Sequence, residues 1–355
     1  MPLRYRHIDL IACTTELFGK AGLAPEIAQT VAEILVEADL LGYDTHGLQF
    51  VPAYLAGIEA RRTTTAGEPA VLADRGHLLC LDGRGLPGQW ATVWALERAC
   101  ERVAEHGTVA VTLRSAQNIS CLATYVKRAA ERGLLALLMA SAPGSAVVAP
   151  HGGRAGRLST NPLALGIPAP GHPILIDTSS AATSNRQVER HRRAGSRLPR
   201  PALVTTDGVA TDDPEALYSN PPGAILPGGG VDYGHKGFAL SLLVEAFTSG
   251  LIGWGRADAP AGSAGGAGNN VYLQVMDPEA FGGGDAMLRE TGFLAAACRD
   301  TPPLAGGPPV RVPGDRAFAL YAEQLGRGVA LHPEIMPRLE PLFRKYDVAV
   351  PVPLA

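Results

Sequence analysis

The sequence predicts an α/β protein, and three observations carry that expectation. Two short apolar runs, at 163–167 and 173–176, are too short for helices and rich in branched residues, as buried strands are. QWATVWALERACERVAEHG has helical spacing and leads directly into TVAVTL, a strand pattern. RSAQNISCLATYVKRAAERGLLALLMASAPGS repeats that order, with a polar loop, a helix to Arg132 and a buried strand.

A chain of 355 residues can bury a large core and suggests about two domains. At 46% hydrophobic and 18% charged it is globular rather than disordered. Net charge is −3, with no long basic stripe, and the local arginine cluster at 186–200 lacks interleaved aromatics. That excludes the usual footprint of a nucleic-acid binder and leaves a solvated face or a phosphate contact. Cys13, Cys80, Cys100, Cys121 and Cys298 are odd in number and share no metal-like spacing, so no metal site is expected. MPLRYRHIDL lacks the apolar core of a signal peptide, and no apolar run approaches a membrane span. A soluble, cytoplasmic protein with free thiols and no membrane partner is expected.

Taken in order, residues 7–41 read as two helices broken at Gly22 to Pro25. His46 follows on a turn before Gly47, where a capping or packing histidine is the commoner outcome than a catalyst. Gly83, Gly85 and Gly88 match the spacing G-x-G-x-x-G between a strand and a helix. Against a dinucleotide fingerprint, Pro87 removes an N–H from the turn and the next strand ends in Arg114 rather than an acidic residue. A tight turn into a helix is the better reading; under the other, Arg114 would favour a 2′-phosphate.

The stretch RLSTNPLALGIPAPGHPILIDTSS sets Ser159, Thr160 and Asn161 before one strand and Asp177 and Thr178 at the end of the next. Small donors and a carboxylate at strand ends suit a polar ligand, or they simply satisfy the turns of a hairpin. A charged helix at 187–194 and a turn at Asp207-Gly208 come next. Then a glycine-rich loop runs into GHKG and an apolar helix from Phe238, where N–H groups beside Lys236 would suit a phosphate or carboxylate. Residues 257–268 read as a low-complexity surface loop, 285–297 and 315–326 as helices.

DTHGLQFVPAYL, DGRGLPGQ, RSAQNISCLATYVKRAAERGLL, PHGGRAGRLSTNPLALGIPAP, LIDTSSA, DGVATDDP, LPGGG, HKGFALSLLVEAFTSGL and RVPGDR, in this order, resemble the type-2 malate/L-lactate dehydrogenase family across nearly the whole chain. That family includes ureidoglycolate and sulfolactate dehydrogenases and Δ1-piperideine-2-carboxylate reductases. The resemblance implies a non-Rossmann, three-layer α/β/α core with a mixed sheet at 76–300. An N-terminal helical segment (1–75) and a C-terminal one (301–355) would pack around it. It also implies NAD or NADP as cofactor, a small-molecule substrate and a homodimer with the active site near the subunit boundary. Thr160, Asn161 and Pro162 match the TNP segment against cofactor and substrate, and Asp177 and Thr178 match the segment bordering the nicotinamide. Leu226, Pro227 and the stretch 234–237, with His235 and Lys236, fall where the cofactor is clasped. His46 matches the histidine of the SHG motif, and a His46–Asp177 pair would raise the imidazole pKa and make it a proton donor.

Two positions depart from the family. Asn118 stands where the family's loop histidine acts as general acid/base, and an amide cannot exchange a proton near neutral pH. Phe50 stands at the arginine that clamps a substrate carboxylate. Three outcomes compete: reduction of a cyclic imine, with Phe50 against an apolar ring; carbonyl or alcohol chemistry with His46 as the sole acid/base; or a nicotinamide-binding scaffold with a non-redox or silent role. The arginines around Arg186 lean only slightly towards NADP.

Overall fold

The computed structural model describes residues 3–255 and 268–354. The expected surface loop at 257–268 lies, except for Gly268, outside the described residues.

Strand β1 (Arg4–Tyr5) leads into α1 (His7–Lys20) and α2 (Pro25–Leu40), then α3 (Val51–Glu59). The sheet begins with β2 (Ala70–Asp74) and β3 (Leu78–Asp82), after which α4 (Gly88–His106) crosses to β4 (Thr108–Ala116). Next come α5 (Ala123–Ala130), β5 (Leu135–Ser141) and the pair β6 (Pro162–Ile167) and β7 (Ile174–Ser179). Then follow α6 (Asn185–Arg193) and three short strands, β8 (Leu203–Val204), β9 (Ala210–Thr211) and β10 (Ala224–Ile225). The chain ends with α7 (Gly230–Glu245), β11 (Asn269–Met276), α8 (Gly284–Arg299), α9 (Asp315–Arg327), β12 (Val329–Ala330) and α10 (Ile335–Lys345).

Seven strands form one sheet in the order β2-β3-β4-β11-β5-β6-β7. The β3–β4 pair is parallel and the others antiparallel, so the sheet is mixed. Alternation along the strands decides what covers each face. Val109, Val111 and Leu113 of β4 join Val271, Leu273 and Val275 of β11 under α4 and α5. Met139 and Tyr272, which point the other way, pack on Val244 of α7. Helices on both faces give the three-layer α/β/α core the resemblance implies.

The single parallel crossover is the one that carries Gly83, Gly85 and Gly88. Its turn binds protein rather than offering N–H groups to a phosphate: Gly83 N–H donates to Arg114 O and Gly85 N–H to Ser115 O, both at 2.8 Å. Arg114 is likewise engaged, by Asp82 at 2.9 Å and by stacking on Trp254.

Two further cores flank the sheet. β1 pairs with β12, and α10 packs with α1 to α3 through Leu10, Leu17, Phe18, Leu339 and Phe343. β2, the first strand of the sheet, lies ahead of the boundary expected at residue 76. The small sheet β10-β8-β9 and α6 share a separate cluster around Val188, Leu198, Leu203 and Ile225. The Asp207-Gly208 turn joins β8 to β9. Among the described residues no helix is long and apolar enough to cross a membrane.

Helix α7 starts at Gly230, eight residues before the apolar helix expected from Phe238. Low glycine propensity hides this start, but Gly237 is required there. A Cβ at Gly237 would come within 2.4 Å of Gly228 N and 2.6 Å of Ser180 O. His235 and Lys236 therefore lie inside the helix, exposed, and not at its N-terminal N–H groups.

Candidate active site

A cleft of about 620 Å³ opens between the sheet, the small lobe and the turn after α2. His46, Phe50, Asn118, Thr160 and Pro162, which are distant in sequence, all line it. Ser184, Asn185, Arg186 and Glu189 of the α6 wall face them.

The loop that carries Asn118 is held from several sides. Gly88 lets it approach α4, because a Cβ there would sit 2.2 Å from Gln117 O and 2.5 Å from Asn118 O. Asn118 Oδ1 accepts from Tyr54 Oη at 2.7 Å and from Ser120 N–H at 2.9 Å. Tyr54 in turn accepts from Gln89 Nε2 at 2.8 Å. With Oδ1 taken twice, the Asn118 amide is oriented and its Nδ2 has no protein partner among the described residues.

Asp177 is not in the cleft wall and does not pair with His46. Its Oδ2 accepts from Ala123 N–H at 2.8 Å and from the Cys121 thiol at 3.4 Å, which places the carboxylate at the start of α5. Burial raises its pKa above the ordinary carboxylate range, against those hydrogen bonds. The expected pair is corrected accordingly: Asp177 positions the 118–122 loop.

His46 instead shares a 2.8 Å hydrogen bond between Nδ1 and Thr45 Oγ1, and its carbonyl accepts from Ser120 Oγ. Burial, and then the Arg186 charge, push its pKa down to about 4, with Asp44 opposing. At neutral pH the ring is uncharged, contrary to the raised pKa expected from a carboxylate partner. Asp39 lies beneath this turn, where its Oδ2 accepts from Leu48 N–H at 2.8 Å and its buried Oδ1 has no partner among the described residues.

Phe50 is only 6% exposed, so it presents no open face for a substrate ring. Tyr54 stacks on it at 5.4 Å, His46 meets it edge-on at 5.9 Å, and the Arg186 guanidinium lies over it at 4.7 Å. The phenyl ring is a platform rather than a surface for substrate.

The remaining expected residues divide. Thr160 and Pro162 face the cleft. Asn161 between them is fully buried, with φ +42°, and its amide is engaged by Ser159 Oγ, Ser241 O and Glu245. Its side chain holds the strand end and does not reach the cleft. Thr178 is exposed and outside the cleft wall. Leu226 and Pro227 brace the backbone that leads to α6, with Ala182 N–H donating to Leu226 O at 2.9 Å and Ala181 bridging Pro227. His235 packs on His151 at 5.7 Å and Lys236 on Tyr233, away from the cleft lining.

Tyr54 and Ser120 carry no role in the sequence expectations, and Arg186 enters them only as one of a run of arginines, a solvated face or a phosphate contact. Tyr54 follows Phe50 by four residues, a spacing that pairs aromatics on one helical face, and this signal was available.

The chain matches malate/L-lactate dehydrogenase over residues 6–340. It is 33% identical to the L-lactate dehydrogenase of Cupriavidus necator over 331 residues, covering 92% of this chain and 93% of that protein. It is 28% identical to the Delta(1)-pyrroline-2-carboxylate reductase of Ancylobacter novellus, covering 96% and 98%. The malate dehydrogenase of Entamoeba histolytica shares its fold, with TM-score 0.89 at 23% identity over 99% of this chain and 100% of that one. An α/β/α core with a mixed sheet, a cleft at its strand ends and similarity along almost the whole length agree: the chain belongs to the malate/L-lactate dehydrogenase family.

Proposed function

We propose that this protein is an NAD(P)-dependent oxidoreductase that transfers hydride to or from a small 2-oxo acid or cyclic imino acid, and that it favours the C=N substrate. Members of the family are NAD(P)-dependent dehydrogenases. The cleft suits such a cofactor. Its volume lies within the roughly 300–1,000 Å³ of ligand sites, and its wall holds an orphaned buried acceptor, Asn185 Oδ1. Thr160, Pro162 and Asn185 are the residues to hold it, and when bound it supplies or accepts the hydride.

The observation that carries the preference for C=N is the absence of a charged acid where the proton would be needed. Asn118 offers an N–H that can hydrogen-bond a substrate but not protonate it, and His46 is neutral at pH 7. A carbonyl oxygen must gain a proton as it becomes an alcohol. An imine nitrogen already protonated in solution needs none, and the chain then has only to orient it and exclude water.

Leu240, Leu242 and Leu243 of helix α7, with Leu251 beyond its end, are exposed, an apolar surface that supports a homodimer through this side. The cysteines are all free, which supports a cytoplasmic setting.

Titration with NADH and NADPH followed by fluorescence, then turnover of Δ1-piperideine-2-carboxylate, Δ1-pyrroline-2-carboxylate, pyruvate and oxaloacetate, tests the reading. Binding of one nicotinamide with turnover of the imines is the expected result. No nicotinamide binding, or efficient oxo-acid reduction with no imine reduction, contradicts it.

A further inference from the structure

Among the residues lining the cleft, Arg186 is the permanently charged cation, and its geometry leaves half of the guanidinium open. It is the second residue of α6, a helix capped by Ser184 Oγ, which accepts from Gln187 N–H at 3.2 Å. Its Nη1 donates to Glu189 Oε2 at 2.8 Å. The other oxygen of Glu189 accepts from Arg193, so that carboxylate is shared between two cations. Arg186 Nε and Nη2 have no protein partner among the described residues, and its side chain is 29% exposed.

Arg190, one turn along the same helix, shows the contrast. It donates to both oxygens of Asp44 at 3.2 Å and to Gln49 Oε1 at 2.8 Å, which ties α6 to the turn bearing His46. Arg190 is a structural clamp, whereas Arg186 sits over Phe50, its Cζ 4.7 Å from the ring centre, with one edge unfilled. A guanidinium held over an aromatic ring keeps its N–H groups available for hydrogen bonds elsewhere. An Nε–Nη2 edge of this kind matches the two oxygens of a carboxylate.

We propose that Arg186 is the substrate-binding cation of the cleft, taking the carboxylate of the substrate on its Nε–Nη2 edge against Phe50 and selecting 2-oxo and imino acids over their neutral amides. The proposal rests on the redox reading above only in making that carboxylate part of the reacting molecule. It places the anionic end of the substrate at α6 and its reducible carbon towards Asn118 and His46. Because Arg186 also lowers the His46 pKa, its neutralisation by a bound carboxylate raises the proton affinity of that histidine.

The test is equilibrium binding of oxamate and of its neutral counterpart oxamide to the full-length protein, with and without NADH, for wild type, Arg186→Gln and Arg186→Lys. Wild type is expected to prefer oxamate. Arg186→Gln should weaken oxamate by roughly 10- to 100-fold, as loss of a charge-assisted pair does, leave oxamide unchanged and abolish the preference. Arg186→Lys, which keeps charge but not the fork, should fall between. Thermal melting of each variant separates a lost contact from a lost fold. Three results overturn the proposal: no preference for oxamate in wild type, unchanged oxamate binding in Arg186→Gln, or a loss confined to NADPH against NADH, which would make Arg186 a phosphate contact. Absence of turnover with every oxo acid and imine would sink the redox reading, while the oxamate–oxamide difference would still decide Arg186.

Discussion

The two walls of the cleft are built on opposite terms. On the Asn118 side, most of the polar atoms are bound by protein, leaving Asn118 Nδ2 open among the described residues: Oδ1 of Asn118 by Tyr54 and Ser120, the Ser120 hydroxyl by the His46 carbonyl, and the start of α5 by Asp177. On the α6 side, Asn185 Oδ1 and the Nε–Nη2 edge of Arg186 have no partner among the described residues. The first wall supplies position and the second supplies unfilled bonding capacity. Preorganisation of this kind puts the ordering cost of the site into folding rather than into substrate binding. A ligand therefore finds its reacting carbon placed by one wall and its charge taken by the other.

The comparison breaks most severely at Gly88. Replacing it with alanine sets a methyl group inside the carbonyls of Gln117 and Asn118. Urea unfolding should show a loss of about 3 kcal/mol, together with a fall in turnover, since displacement of the loop moves Asn118. A variant that unfolds at the wild-type midpoint would show that the contact is soft.

Asn118→His sharpens the contrast instead. It places a titratable group on the fixed wall and should raise oxo-acid turnover relative to imine turnover by about 10²-fold. An unchanged ratio would mean that proton supply does not set the preference.

The two α6 arginines should separate by stability. Arg190→Ala leaves Asp44 and Gln49 without their shared donor and should cost about 2 kcal/mol. Arg186→Gln, which breaks a half-exposed pair and one ring contact, should cost under about 1 kcal/mol. Equal losses would remove the distinction between clamp and open cation.

The smallest effect is in pH dependence. The folded protein holds His46 at a pKa of about 4, below its ordinary 6.5, so the unfolded chain binds the proton first as pH falls. This histidine contributes stability above pH 6.5 that is lost as pH drops towards 4. His46→Gln should flatten the stability curve over that interval. Asp39 and Asp177, both raised by burial, act with opposite sign: they favour the fold at low pH and lose that contribution as pH rises through their raised values. The comparison of wild type with His46→Gln isolates the histidine. Identical curves would place its proton affinity near the unfolded value.

Much of this architecture was legible in the sequence, because strands and helices of the core announce themselves by period. Leu137 and Met139 face one way and Ala136, Leu138 and Ala140 the other, and the apolar run at 135–141 could only be buried on both faces. Pro87 and Arg114 argue locally against a glycine fingerprint, and the N–H groups of that turn are bound by protein. His46, Phe50, Asn118, Thr160 and Pro162 converge in one cleft. What failed was pairing at a distance. Nothing in the chain says that Asp177 turns to Ala123 and Cys121, or that Arg186 covers Phe50, because the first contact depends on how α5 packs on the sheet and the second on how the small lobe sits against it. The start of α7 is hidden for another reason: GGGVDYGHKG looks like a loop by propensity, and the glycine at 237 answers to close packing on Gly228 and Ser180.

The most direct measurement of the central claim is the ratio of kcat/KM for Δ1-piperideine-2-carboxylate to that for pyruvate at pH 7, with saturating NADH or NADPH. A cleft whose amide and neutral histidine provide no acid predicts a ratio of about 10² or more in favour of the imine. Pyruvate reduced as efficiently as the imine would contradict it.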